Sequence, residues 1–486
     1  MSAAPIEPPA EPEALMDQLA RLPRAFWMLN LMEMLERLAY YGVRVVIPIY
    51  IAQADEIHGL HFTQLQKGHI FFWWALVQAG VPVFSGGFAD RYGYKKTIAA
   101  SIAIKMAGYL LMATQRGFWP FTAGCLVLAF GTAIFKPGVW GSLQKSMDKS
   151  TSSVGWGMFY MLVNVGGFLG PPLAHFLYGW SWPTVFYGCA VIVSLNFFML
   201  FTYPDVDAGG AQTASFARTA WVTFSNLFKP RLLAFILIMS GFWLMFMQLF
   251  DLLPNFIVDW VDSSSIVRAL HLPAMFTTQT PRGVMVAQEW MINIDSFLII
   301  FLVVFISWLV ARLRRVHSIF FGILLASAGL LAAGFTMSGV ACLAGIVLFA
   351  VGEMLSSPKM NDYLGVIAPD DKKGLYMGYA NMPTAVGWAY GSLLAGDLYE
   401  RMGEKAGLAL RWLGDHGHGA AAVDRTHAME ALQRATGLDA AGATRLLWNT
   451  YHPYRLWYPF AAIGVGSAVC IYFYGLWAKR YEAPDI

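Results

Sequence analysis

Apolar residues in this chain come in long runs separated by short polar stretches. A helix needs about 20 such residues to cross the hydrocarbon of a bilayer. About twelve segments qualify, near residues 25–52, 66–88, 97–114, 119–142, 156–178, 183–203, 231–258, 293–312, 317–337, 340–364, 376–397 and 456–477. The pattern predicts an all-α membrane protein with two six-helix bundles, 25–203 and 231–486. Residues 204–230, which include Gly209-Gly210-Ala211-Gln212-Thr213, read as a flexible linker between them. Residues 1–24 are rich in Pro, Glu and Ala and lack the apolar stretch of a signal peptide, so a disordered tail is expected. The stretches 259–290 and 400–455 exceed a minimal turn. The second has helical patterning at Arg425–Arg434 and Ala440–Trp448, and a tolerated surface insertion carrying short helices is expected there.

The first segment breaks the apolar rule. It holds Glu33, Glu36, Arg37 and Arg44, together with Tyr40 and Tyr41. Each charge at hydrocarbon depth costs about 2.5–3.5 kcal/mol even on the lenient insertion scale. The spacing of three or four residues puts them along one helix face. That face is expected to line a polar pathway inside a bundle.

Composition agrees with the pattern. The 486 residues are 57% hydrophobic and 13% charged, against about 25% charged in soluble proteins. Mean hydropathy is +0.52. The net charge of +3 is spread over loops, so nucleic-acid binding has no support. Cys125, Cys189, Cys342 and Cys470 sit in apolar segments with no CxxC spacing, which leaves neither a disulfide framework nor a metal site. Lys and Arg gather in the loops on one side, for example Lys95, Lys96, Lys145, Lys229, Arg314, Lys372 and Lys479. By the positive-inside rule both termini are expected in the cytoplasm, in a plasma membrane, with a bacterial inner membrane as the expected setting.

An internal repeat supports the division into halves. Leu128-Ala129-Phe130-Gly131-Thr132-Ala133-Ile134-Phe135-Lys136-Pro137 matches Phe349-Ala350-Val351-Gly352-Glu353-Met354-Leu355-Ser356-Ser357-Pro358 at Ala, Gly and Pro, with one charge between Gly and Pro in each. Parallel repeats with sites at their interface are a transporter architecture. Between the second and third segments, Gly86-Gly87-Phe88-Ala89-Asp90-Arg91-Tyr92-Gly93-Tyr94-Lys95-Lys96 resembles the loop signature of the major facilitator superfamily, which implies a gating role for Asp90 and Arg91.

Further motifs narrow the resemblance. ExxER at Glu33–Arg37 is followed by Tyr40-Tyr41-Gly42 and Arg44. Lys136-Pro137 comes next, then Phe159-Tyr160-Met161-Leu162-Val163-Asn164-Val165-Gly166-Gly167, then Phe242-Trp243 with Gln248. Gly352-Glu353, Ser357-Pro358, Ala368-Pro369 and Lys373-Gly374 complete the set. Together they resemble the proton-coupled oligopeptide transporter family. The resemblance implies that a peptide carboxylate meets Arg37 and Lys136, its amino terminus meets Glu353, and its backbone meets Asn164. Tyr40, Tyr41 and Gln248 are the remaining expected substrate contacts.

Elementary chemistry supports that assignment. A di- or tripeptide is a zwitterion, and its site needs a cationic end, an anionic end and a group that both donates and accepts between them. Arg37 and Lys136 supply the first, Glu353 the second and Asn164 the third. Glu33, Glu36 and Arg37 titrate as a unit and are the expected proton-coupling group; the proton is the coupling ion and no other cofactor is implied. The sequence also departs from the family. Met247 stands where an acid precedes the helix 7 Gln and pairs with the Arg corresponding to Arg44, although Asp251 lies one turn on and is the candidate gating partner. Ala79 stands at a tyrosine position, Gly167 at a serine position, and 204–230 is too short for the two extra helices of many bacterial members. Asp295 and Lys105 receive no role from the resemblance.

Two readings therefore stay open. One is a proton-coupled importer of di- and tripeptides working by alternating access, as a monomer in the bilayer. The other is a carrier or exporter of another small charged or amphipathic metabolite. An enzyme is not expected, since the chain has no HExxH, GxSxG or phosphate-binding loop.

Overall fold

The computed structural model describes residues 15–82, 89, 92–148, 151–205, 225, 227–309, 313–367 and 379–478. Asp90, Arg91, most of the linker stretch, Ala368-Pro369 and Lys373-Gly374 lie outside these. Each of the twelve expected segments is largely helical over its described residues. In lipid, every backbone group must be satisfied within its own segment, and this turns apolar runs into helices whatever their intrinsic propensities. Seven of the helices are long and apolar enough to cross a membrane by length and composition alone.

The first half contains α1 (Leu15–Arg21), α2 (Arg24–Arg44), α3 (Ile47–Ala52), α4 (Gln64–Ala75), α5 (Tyr94–Thr114), α6 (Phe118–Lys145), α7 (Ser152–Tyr178) and α8 (Trp182–Leu200). Two of these helices are extended by a neighbour. Helix α3 continues the line of α2 after a break at Val45–Val46, and α4 passes into a π-helical stretch, Leu76–Gly80. A capping box at Thr63 and Gln66 starts α4. Helix α1 falls in the stretch read as a disordered tail. Its Leu19 packs on the core, and an anchored terminus orders.

In the second half, the seventh segment is three pieces, α9 (Pro230–Phe246), α10 (Gln248–Asp251) and α11 (Leu253–Trp260). Pro254 removes a backbone donor at the second break. Then come α12 (Ser264–Leu270), a hairpin of β1 (Thr277–Thr280) and β2 (Gly283–Val286), α13 (Gln288–Leu309), α14 (Arg315–Phe335), α15 (Gly339–Ile367), α16 (Asn381–Leu398), α17 (Lys405–Asp415), α18 (Ala428–Thr436), α19 (Ala440–Tyr451) and α20 (Trp457–Ala478).

Packing repeats between the halves. Within the first, α2 packs on α7 and α8, α5 on α6 and α8, and α4 on α6. Within the second, α9 packs on α16 and α20, α14 on α15 and α20, and α13 on α15. Each pair in one half has its counterpart in the other, so the short sequence repeat marks a repeated six-helix unit. The halves meet through α4 with α16 and α7 with α13, which the same relation exchanges. Phe297, Phe301 and Phe305 on α13 and Phe473 on α20 face outward, whereas Glu33, Glu36, Arg37 and Arg44 are buried. This inversion is what a lipid solvent demands.

Residues 400–455 fold as a cap rather than a loose insertion. Sequence patterning located α18 and α19 but not α17. Trp448 packs against Phe256 and Trp260 (centroids 6.2 and 5.7 Å), and Trp260 donates to the Gly403 carbonyl at 2.7 Å. Arg425 reaches the first half, donating to the carbonyls of Ala52 (2.8 Å) and Phe62 (3.0 Å) while pairing with Glu404 at 3.3 Å.

Candidate functional site

The expected charged face of α2 is buried as a unit. Arg37 donates from Nε to Glu33 at 2.9 Å and pairs through Nη2 with Glu36 at 3.0 Å. The (i, i+4) spacing makes the first contact nearly automatic on a helix. Lys105 of α5 approaches the other Glu36 oxygen at 3.6 Å and lies 3.5 Å from the Phe135 ring centroid. Sequence reasoning left Lys105 without a role. The signal was a lysine in mid-membrane one helix away from a surplus of acids. Gly131 makes its path possible, because a Cβ there would stand 2.6 Å from the Lys105 Cγ and 3.0 Å from its backbone nitrogen. The close approach of α2 to α7 has the same basis at Gly42 and Gly170, where a Cβ on Gly170 would meet the Gly42 nitrogen at 2.6 Å.

A cavity of about 450 Å³ lies between the halves beside this cluster, within the range of small-ligand sites. Arg37, Tyr40, Tyr41, Arg44, Lys136 and Asn164 line it from the first half, and Asp295, Glu353 and Ser357 from the second. Aromatic side chains, among them Trp140, Tyr160, Trp243 and Phe250, share the remaining walls with aliphatic and small polar ones such as Val163, Ile299 and Thr384. Gln78 donates to the Tyr40 hydroxyl at 2.9 Å and accepts from Trp74 at 2.7 Å, which fixes that ring. Asn164 donates to the Tyr160 carbonyl at 2.8 Å, leaving its amide oxygen for a ligand donor. Among the described residues, Lys136 has no ion-pair partner within 4 Å, so its ammonium is free for an anion. Glu353 is hydrogen-bonded to Asp295, a residue that sequence reasoning also left unassigned.

Gln248 corrects the expectation. It is fully buried, donates to the Leu244 carbonyl at 2.7 Å, and sits against Gly391 of α16 rather than in the cavity. Met247 lines the cavity instead, on one helical face with Trp243, Phe246 and Phe250. One turn after Met247, Asp251 reaches Arg44. The two form a direct ion pair across the halves, and Asp251 also accepts from Ser392 (2.6 Å) and Trp388 (3.1 Å). Arg44 is flanked by the Phe71 and Trp388 rings at 4.8 and 5.0 Å. Asp251 thus takes the pairing role for which Met247 has no group.

More bridges between the halves run in a band from the cavity to the cap. Lys67 donates to Asn255 at 2.7 Å, Gln53 to Asp259 at 2.8 Å, Asn293 to the Phe168 carbonyl at 2.8 Å, and Gln288 to the Val45 carbonyl at 3.3 Å. His175 and Tyr178 of α7 both bind Glu289 of α13. These contacts tie the halves together on the cap side of the cavity.

Comparison with known proteins places this arrangement. The structure resembles a POT family transporter in complex with 5-aminolevulinic acid, with a TM-score of 0.68, 14% identity, and coverage of 94% of this chain and 96% of that one. It also resembles the peptide transporter POT in complex with sulfate, with a TM-score of 0.65, 17% identity and coverage of 96% and 98%. In sequence, the Multidrug resistance protein MdtH of Klebsiella pneumoniae (strain 342) is 23% identical over 327 residues, 67% of this chain and 75% of that protein. MdtH of Escherichia coli O9:H4 (strain HS) is 22% identical over the same length and shares. At these identities the structures establish a shared fold. The family model of the Major Facilitator Superfamily matches residues 29–392; with its membrane helices in two repeated halves around a central cavity, the chain belongs to that superfamily and is a membrane transporter, not an enzyme.

Proposed function

We propose that this transporter is a proton-driven symporter of di- and tripeptides. The observation that carries the reading is the polarity of the cavity: Arg37 and Lys136 on the first half face Glu353 on the second, with Asn164 on α7. A zwitterion bridging these groups holds the halves together, so occupancy favours the occluded state that alternating access requires. Glu33 and Glu36, tied to Arg37, exchange partners and protons as the substrate carboxylate competes for the guanidinium. The six-helix units 25–203 and 231–486 rock about the cavity with 204–230 as linker. The Lys and Arg distribution supports cytoplasmic chain ends and an outward cap, and in that topology the band of bridges closes the outer passage. A bacterial inner membrane and a monomer fit this topology.

The MdtH relatives and the aromatic walls favour one second reading, export of an amphipathic compound. Uptake of labelled dialanine and trialanine into proteoliposomes under an imposed pH gradient separates the two. Symport predicts accumulation when the outside is acidic, at least tenfold lower in Glu353→Gln and in Glu36→Gln. Flux of neither peptide, with aromatic cations moving against protons instead, would overturn it.

A further inference from the structure

Most acids buried in the membrane region have a cation or a dedicated donor. Glu33 and Glu36 hold Arg37 and Lys105, Asp251 holds Arg44, Asp259 lies 3.7 Å from Lys405, and Glu289 holds His175. Asp295 of α13 and Glu353 of α15 differ. Among the described residues neither has a cation within 4 Å. Each binds the other, and each keeps an oxygen, Asp295 Oδ1 and Glu353 Oε2, that is buried with no protein partner. Asp295 is 2% exposed and lines the cavity.

Two carboxyl groups hydrogen-bond to each other only when one of them carries a proton, because an ionised carboxylate is acceptor-only. We infer that Asp295 and Glu353 form a proton-binding pair in the second half, separate from the Glu33–Glu36–Arg37 cluster. The proton comes from water on the side to which the cavity is open, adds to a carboxylate oxygen of the pair, and returns to water on the other side. With one proton the pair has a single negative charge, matched to one substrate ammonium at Glu353; without it two like charges face each other, and substrate is held differently. The cations opposite are Arg37 of α2 and Lys136 of α6, with Tyr41 and Tyr160 the titratable groups nearest the pair. Glu289 on the same helix is engaged by His175, Asp259 of α11 by Gln53 and Tyr399, and His317 of α14 lies beside Tyr472. Among the described residues the pair is thus electrically distinct from the other acids of the region.

The inference rests on the transporter reading but not on the identity of the substrate, and its test needs none. Infrared difference spectra of the purified full chain in detergent, recorded across a pH series, should show a protonated-carboxyl stretch that titrates in the wild type. The band should be lost in Asp295→Asn, lost or shifted in Glu353→Gln, and retained in Glu36→Gln, with monodisperse elution reporting the fold. An unchanged band in both Asp295→Asn and Glu353→Gln would overturn the proposal whatever is transported. In proteoliposomes that take up dialanine, Asp295→Asn should lower accumulation at least tenfold and flatten its pH profile. Unimpaired accumulation with a normal profile would equally overturn it. A wild type that shows the band but moves no dialanine sinks the peptide reading alone.

Discussion

Single residues in this protein are judged by what a charge costs in a dry interior. Arg44 and Asp251 are each at most 2% exposed and are satisfied chiefly by each other. Removing one partner of such a pair leaves an uncompensated buried charge, a loss of about 3–5 kcal/mol, whereas replacing both by apolar groups is far milder. Arg44→Leu and Asp251→Leu should therefore each lower the unfolding midpoint in detergent more than the double substitution does. Additive effects would mean that the pair is not coupled. Lys105 illustrates a different limit. Its partner Glu36 lies on a helix 69 positions earlier in the chain, so the four-charge cluster could not be read from the spacing within α2, although the acids and Arg37 could.

At the scale of elements, the seventh span shows how helical phase sorts a motif. Trp243, Phe246, Met247 and Phe250 recur at helical spacing along the cavity wall, and the same phase buries Gln248 against α16. The cap helices show a second element-scale effect. Burial pushes the Glu404 carboxyl up to about 7, against the lowering influence of Arg425 and Gln64. Its ordinary value is 4.5, so the folded chain binds the proton more tightly than the unfolded one. That contribution is present at low pH and is lost as pH rises through about 7. Amide exchange of α17 and α18, corrected for intrinsic rates, should accelerate between about pH 4.5 and pH 7, and Glu404→Gln should flatten the change. Equal pH dependence in both forms would remove Glu404 as the cause.

For the whole molecule, the band of bridges predicts where motion is needed. Gln53 and Asp259 are joined at 2.8 Å across the halves, and three of the four cysteines are buried. In a chain carrying Cys470→Ser, Gln53→Cys and Asp259→Cys, a cleavable thiol cross-linker should stop uptake, and its reduction should restore it. Cross-linked protein that turns over at the normal rate would put the band outside the transport cycle. The repeated packing of the halves makes the same point from the fold: α4 with α16 and α7 with α13 are the surfaces on which two rigid units can rock.

The twelve spans and the division into halves were legible in the sequence, because a bilayer permits few ways to satisfy backbone groups and hydropathy records which one is used. The acids and bases destined for the interior were legible for the same reason, since lipid tolerates them nowhere else. What the sequence could not assign was partnership. Lys105 with Glu36, Asp251 with Arg44, and Asp295 with Glu353 join residues 58 to 207 positions apart, and no local period encodes such distances. The cap followed the same division, with its helices partly visible in the pattern while its grip on Ala52 and Phe62 came from tertiary contact alone. Local physics set what each segment had to be, and only the assembled fold settled which charges answer one another.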